Sequence, residues 1–482
     1  MRAMNKIKWL LIVSLTCGCL SCNSWLDVDL VNEIEEQELF STPEGFKEAL
    51  AGVYADMATE GLYGAYLTWE ALDIWGRIYD NTKLSSTYAE LKEYNYTDAM
   101  VRSRINNFWN RMYTVIEETN NILRWANTNA SVLSEEELNQ IRGEALGCRS
   151  YLFFDLIRLF APDVKVDANA KRVPYNTTFG VDLAPLYTTS ETLDLILEDL
   201  QEAERCLAND PIVGTQVYEL SNKNTADQYV ARMNLYAVKA LMARIYLDKG
   251  DLTNARIKAQ EVISSNCFAL QERSEVVQAT ADEKDLLFSD EHIFSLRNEN
   301  IADWAETRLV SVQDTSASGN IYLPFSINYV NTYDVSSLDV RWMEWFSVFT
   351  EASITRMVKY YASAGNQNNF FPKVPLIRLS EMYMLLSESY LEEDINQAKA
   401  YADTLRIARI GEEGILTNYS ENAFIQEMRR EFPGEGQMFF MYKRRNHDIV
   451  QDAASGGNVT ASEHIFVLPI PDAEIENGNV EQ

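Results

Sequence analysis

Met242-Ala243-x-x-Tyr246-x-x-x-Gly250-x-x-x-x-Ala255-x-x-x-Ala259-x-x-Val262 is the stretch from which the fold can be read. Its small and large residues fall at tetratricopeptide spacing: the alanines let two antiparallel helices approach closely, and Gly250 permits the turn between them. The theme returns in Leu386-Ser387-x-x-Tyr390 with Ala398 and Ala402, where the turn is shorter and lacks Gly. It returns again in Trp109-x-x-x-Tyr113-x-x-Ile116-x-x-x-Asn120-x-x-Leu123. Working outward, apolar periodicity predicts helices over 66–79, 101–127, 134–160, 189–207, 226–248, 252–264, 375–392 and 395–410. Thr42-Pro43-Glu44 opens an earlier helix with a cap, a first-turn proline and an acid at the positive dipole end, followed by Phe46, Leu50, Val53 and Tyr54 at helical spacing. The fold class that follows is mainly α: a tetratricopeptide-like helical-repeat scaffold with long irregular loop insertions and little β.

Composition agrees. Among 482 residues there are only 20 Gly and 11 Pro, which disfavours turn-dense all-β designs, and the 46% hydrophobic share is too high for a disordered acidic chain. The formal charge of −30 repels phosphate backbones, so nucleic acid is not an expected partner, nor is an anionic lipid surface bound by charge. His292, His447 and His464 form no His-x-x-x-His pair, and there is no Gly-x-Ser-x-Gly elbow, Walker loop, EF-hand loop or complete Rossmann fingerprint. The expectation is a chain with no cofactor and no catalysis, with metal binding left open. Paired carboxylates of a glycosidase cannot be recognised among 72 acids, so that alternative stays on the page.

Arg2, Lys6 and Lys8 precede an apolar run over 9–20, closed by Ser21-Cys22. That is an export signal, too short to span a membrane. Cys19-Leu20-Ser21-Cys22 resembles a bacterial lipobox, so 1–21 reads as a lipoprotein signal peptide and Cys22 as the site of lipid attachment. The segment 22–41 reads as a tether. The rest, 42–482, reads as one domain with an N-terminal part of about 42–215 and a C-terminal part of about 216–482. Cys148, Cys206 and Cys267 remain, an odd number that allows at most one disulfide.

Further residues resemble the SusD/RagB family of outer-membrane lipoproteins from Bacteroidetes. Trp25-Leu26-Asp27 and Leu39-Phe40-Ser41-Thr42 are similar to its opening, and Glu144-Ala145-Leu146-Gly147-Cys148-Arg149-Ser150-Tyr151-Leu152-Phe153-Phe154-Asp155 to its hallmark helix. Leu241 to Leu247, Arg378-Leu379-Ser380-Glu381-Met382-Tyr383, Glu435-Gly436 and Leu468-Pro469-Ile470-Pro471-Asp472 follow in the family's order. Departures are a polar insertion after Ala161-Pro162-Asp163-Val164, which delays Val173-Pro174, and Gln437 where many members carry Arg. The neighbouring bases Arg429, Arg430, Lys443, Arg444 and Arg445 are expected on a solvated helix face, paired with local acids. Asp339-x-Arg341 is expected to be structural.

The resemblance implies a lipid-anchored, cell-surface protein of the outer membrane that binds an oligosaccharide without catalysis and hands it to a SusC-like TonB-dependent barrel. The RagB side of the family implies a peptide ligand instead. A sugar ring offers an apolar face and a polar rim, so its site needs aromatic plates edged by amides and carboxylates. Two irregular tracts supply them. Residues 82–98 carry Tyr88, Tyr94 and Tyr96; residues 298–369 carry Trp304, Tyr322, Tyr329, Tyr333, Trp342 and Trp345. These nine are the candidate ligand contacts, whereas Trp69 and Trp75 are expected in the core.

Overall fold

Side-chain caps set where the helices begin. Thr42 accepts from the Gly45 amide and Pro43 fills the first position of α1 (Pro43–Met57). Asp98 caps α2 (Ala99–Thr128), while Ser134 with Glu137 and Thr188 with Glu191 form reciprocal capping boxes on α3 (Glu135–Phe160) and α4 (Thr189–Cys206). Asn234 and Asp251 cap α5 (Leu235–Lys249) and α6 (Leu252–Ile263). Beyond the uncapped α7 (Leu379–Tyr390), Asp394 caps α8 (Ile395–Ile410). Each cap stabilises its helix by about 1 kcal/mol. The computed structural model describes residues 36–180, 183–220, 223–280, 283–311, 321–361, 372–451, 457–478 and 480. The signal peptide, Cys22 and most of the segment read as a tether lie outside them.

Successive helices pack on one another, α2 on α3, α3 on α4, and so on through α7 on α8. This is the helical-repeat stack read from the sequence. At its centre Gly250 turns the chain between α5 and α6 with a left-handed φ of 76°. Ala243, Ala255 and Ala259 are fully buried, so the two helices meet closely. α3 is buried along its whole C-terminal half. Gly147 makes that possible: a Cβ there would lie 2.3 Å from the Met233 Cγ, closer than any packed side chain allows.

Among the described residues, five short strands complete the fold. β1 (His292–Arg297) pairs antiparallel with β5 (Lys373–Arg378), placing Leu296 opposite Val374. β2 (Phe325–Ser326), β3 (Phe346–Phe349) and β4 (Ile354–Met357) form a sheet in the order β2-β4-β3. Three expected helices change. Of the one over 66–79 only Ala71–Trp75 is α-helical, because Glu70 before it leaves the helical conformation, at φ −109° and ψ −92°. The one over 226–248 divides where Asn234 turns extended to cap α5. The one over 375–392 starts later, because every residue of β5 is buried by pairing with β1.

The basic cluster near the C-terminus is a correction. Arg429, Arg430 and Lys443 are buried rather than solvated, and Arg444 and Arg445 are half-buried. Pairing with acids does occur, Arg430 with Glu427 at 2.9 Å, Arg444 with Glu388 at 2.6 Å and Arg445 with Glu421 at 2.6 Å. Two helices, α9 (Glu421–Glu431) and α10 (Gln437–Arg445), carry this cluster across the repeat stack. A charge so placed is tolerated only when satisfied, and each finds a carboxylate or carbonyl. At the heart of the lattice Glu431 accepts from Arg378 (2.8 Å), Arg409 (2.8 and 3.1 Å) and Arg341 (2.9 Å). Asp339 holds Arg341 from the other side, so the structural reading of Asp339-x-Arg341 stands.

Candidate functional site

The two irregular tracts are brought together. The Tyr88 hydroxyl donates to the Ile321 carbonyl at 3.1 Å, the Asp80 amide donates to the Pro324 carbonyl at 2.9 Å, and Tyr79 packs edge-on against Phe325. Seven of the nine candidate aromatics are buried instead of facing solvent: Tyr88, Tyr94, Tyr96, Tyr322, Tyr329, Tyr333 and Trp345. Their polar tips explain why: Tyr94 donates to the Trp75 carbonyl (2.7 Å), Tyr96 to Ile465 (2.6 Å), Tyr329 to Arg429 (3.0 Å), Tyr333 to Arg430 (3.0 Å), and the Trp345 indole N–H to Leu286 (2.8 Å). Rings anchored this way tie loops to the scaffold and present no open face to a ligand.

Trp304 and Trp342 remain half-buried. Trp342 spends one face stacked on Phe346, at 5.5 Å and 21°, beside Tyr333. Trp304 lies one turn before Arg308 on the run formed by Ile301–Ala305 and Glu306–Val310. Arg308 reaches Glu60 and, at 3.2 Å, the inner carboxylate of Glu70. Glu70 also receives Arg104 at 2.7 Å, whose guanidinium lies 5.0 Å over the half-buried Tyr66 ring and 5.6 Å over Tyr88. Burial pushes the Glu70 carboxyl up, and Arg104 and Arg308 pull against that rise. Burial likewise raises the Tyr66 hydroxyl, with Glu70 adding to it. Arg104 loses by desolvation, yet Glu70 beside it holds its pKa above the ordinary value. The result is a platform of two guanidinium groups and two carboxylates beside the half-buried Tyr66 ring, with Glu70 and Arg308 themselves buried.

Two clefts lie elsewhere. One of about 710 Å³ lies where α6, α7 and α8 meet the segment of Phe268 and Arg273, and one of about 680 Å³ is lined by Arg102, Arg172 and His464 and bordered by Tyr96. Among the described residues no group of three or more His, Cys, Asp or Glu is placed to hold a metal ion. Cys148, Cys206 and Cys267 are free thiols. No described helix is long and apolar enough to cross a membrane.

Residues 24–247 match a SusD-like family model described as starch-binding and associating with the outer membrane. The SusD-like protein P2 of Formosa agariphila is 23% identical over 98% of both chains. A SusD superfamily crystal structure from Bacteroides thetaiotaomicron superposes with a TM-score of 0.71 at 23% identity, covering 92% of this chain and 99% of that one. The chain has the fold of the SusD superfamily structures. The surface glycan-binding protein A of Bacteroides uniformis shares the SusD fold as well, with a TM-score of 0.66 at 17% identity over 90% of this chain and 98% of its own.

Within this SusD-like fold, the sequence singled out Trp304 near this platform and did not single out Glu60, Tyr66, Glu70, Arg104 or Arg308. Tyr66 and Glu70 fall where a continuous helix was expected, and Arg104 reads as the polar face of α2. The one available signal was the four-residue spacing of Trp304 and Arg308 in a tract otherwise poor in periodicity.

Proposed function

We propose that this protein, like the SusD/RagB family it resembles, binds an oligosaccharide at the cell surface without turning it over and delivers it to a SusC-like TonB-dependent barrel, held to the outer membrane by lipid on Cys22. The family's description supports glycan binding at that membrane. The observation that carries the reading is the platform: Trp304 stands one turn from Arg308, which bridges Glu60 and Glu70 beside Tyr66. The half-buried Tyr66 and Trp304 rings can take the C–H face of a sugar while the partly exposed Arg104 and Glu60 take its hydroxyls, and charge-assisted hydrogen bonds of that kind are the stronger ones. The buried Glu70, shared by Arg104 and Arg308, holds the two guanidinium groups in place. Calorimetry with glycans and peptides, with reducing-sugar release followed in parallel, tests this. Glycan heat that falls about tenfold in affinity in Trp304→Ala and Tyr66→Ala is expected. Peptide heat alone favours the RagB alternative, and turnover that a carboxylate substitution abolishes establishes a glycosidase. Palmitate incorporation should cease in Cys22→Ala.

A further inference from the structure

A third cleft, of about 450 Å³, opens between α2 and α3 well away from Trp304 in sequence, under the segment that carries Thr178 and Phe179. Asn120, Leu123, Arg124 and Asn127 line it from one face of α2, and Arg142, Leu146 and Arg149 from one face of α3. Three of the lining side chains are arginines and one is a carboxylate, Glu202, which pairs with Arg205 at 2.6 Å. In a chain of charge −30 this is an exceptional place.

The walls are fixed. Arg149 is held by Asp199 (2.7 and 3.0 Å) and by the Asn120 side-chain oxygen (2.9 Å). Asn120 in turn donates to the Asn176 carbonyl at 3.1 Å and pins the lip. Arg124 pairs with Glu36 at 2.5 Å and lies 4.6 Å over the Phe179 ring, which stays 40% exposed. Arg142 is different. Its Nε is buried and has no hydrogen-bond partner, and no ion pair reaches its guanidinium among the described residues. A guanidinium left so is a standing demand for an acceptor, and the two-pronged geometry of a carboxylate or sulfate oxygen pair answers it best. The Phe179 ring at the lip gives a sugar an apolar surface, and the exposed Asn127 and Thr178 give its hydroxyls partners.

We infer that this cleft is a second binding site, separate from the Trp304 platform, for a saccharide unit carrying one anionic group, with that group on Arg142 and the ring against Phe179. It allows a chain acidic overall to hold an acidic glycan, because the bases that matter are local.

Titration calorimetry of the purified chain with trigalacturonate, with a monosulfated disaccharide and with a neutral trisaccharide tests it. Binding of one or both anionic sugars is expected, weakened at least tenfold in Arg142→Ala and clearly in Phe179→Ala, and unchanged in Trp304→Ala. Which anionic sugar binds tells carboxylate from sulfate. Arg142→Gln, judged with Arg142→Ala against unchanged thermal melting, guards against a folding defect. Anionic-sugar affinity that survives both Arg142 substitutions overturns the site. So does displacement of the sugar by acetate or inorganic sulfate at equal concentration, which would reduce the cleft to a general anion hole.

Discussion

Replacing Glu431 by Gln keeps the shape of the side chain and removes its charge from the centre of the buried lattice. Four guanidinium contacts converge on its two oxygens, from Arg378, Arg341 and twice from Arg409, and neither Glu431 nor any of these arginines is exposed. An amide supplies one acceptor and turns a donor toward the other fork, so two contacts are lost and a donor–donor clash replaces them. At about 1.5–3 kcal/mol for a hydrogen bond to a charged group, the loss is about 3–6 kcal/mol. Breaking a buried ion pair typically costs about 3–5 kcal/mol, so about 4 kcal/mol is expected. Against a net stability of about 5–15 kcal/mol that is a large share. Urea unfolding followed by circular dichroism measures it. The sign with pH is also set. Burial alone would raise the Glu431 carboxyl, but Arg409, Arg378 and Arg341 outweigh it and hold it well below the ordinary 4.5. The stabilisation is therefore full above pH 4.5 and fades as pH falls through the lower folded value, and the gap between wild type and Glu431→Gln should narrow there. A loss under about 1 kcal/mol at neutral pH would refute the view that Glu431 ties the lattice together.

Burial lowers the Lys443 ammonium to about 7, against the pull of Asp163 and Asp248. Between that value and 10.5 the unfolded chain binds more protons, so this group makes stability rise with pH by about 3–5 kcal/mol, and Lys443→Met should flatten the rise in urea midpoint. Gly147→Ala forces a Cβ against Met233 and should cost about 1–3 kcal/mol in the same assay; an unchanged midpoint would show that α3 has room there. Tyr333→Phe removes only the hydroxyl that reaches the Arg430 carbonyl, so stability should fall by about 1 kcal/mol while glycan affinity in calorimetry stays as it is. Lower affinity would return Tyr333 to the ligand site.

The scaffold was legible because its signals are local. Gly250 in its left-handed turn, the buried Ala255 and Ala259, and the Ser134 and Thr188 caps each act within one helix or one hairpin, where spacing along the chain is spacing in the molecule. The same logic failed at the site. Tyr329 and Tyr333 looked like loop aromatics free to stack, but their hydroxyls bind carbonyls about 100 and 97 residues away on α9, and nothing in the sequence marks those partners. Arg409 could not be told from a surface base for the same reason, since its partners Glu291 and Glu431 lie on other elements.

These two failures have one cause, and it bears on function. A binding surface made from long irregular segments loses ordering entropy each time it closes on a ligand unless the segments are already held. Here the tyrosines of the 298–369 tract anchor on α9 through the carbonyls of Arg429 and Arg430, and α9 is fixed to the repeats by Glu427 and Glu431. Under the proposed function, the buried aromatics act one step behind the ligand. They hold the 321–361 part of the tract rigid, and Arg308, tied to Leu323 through its carbonyl and to Glu60 and Glu70 through its guanidinium, carries that rigidity to Trp304. On this argument, weakening the lattice at Glu431 should reduce glycan affinity under conditions where the chain is still folded, although no atom of Glu431 reaches the platform. Calorimetry on Glu431→Gln well below its melting temperature decides the point: wild-type affinity there would mean that the platform holds its own shape.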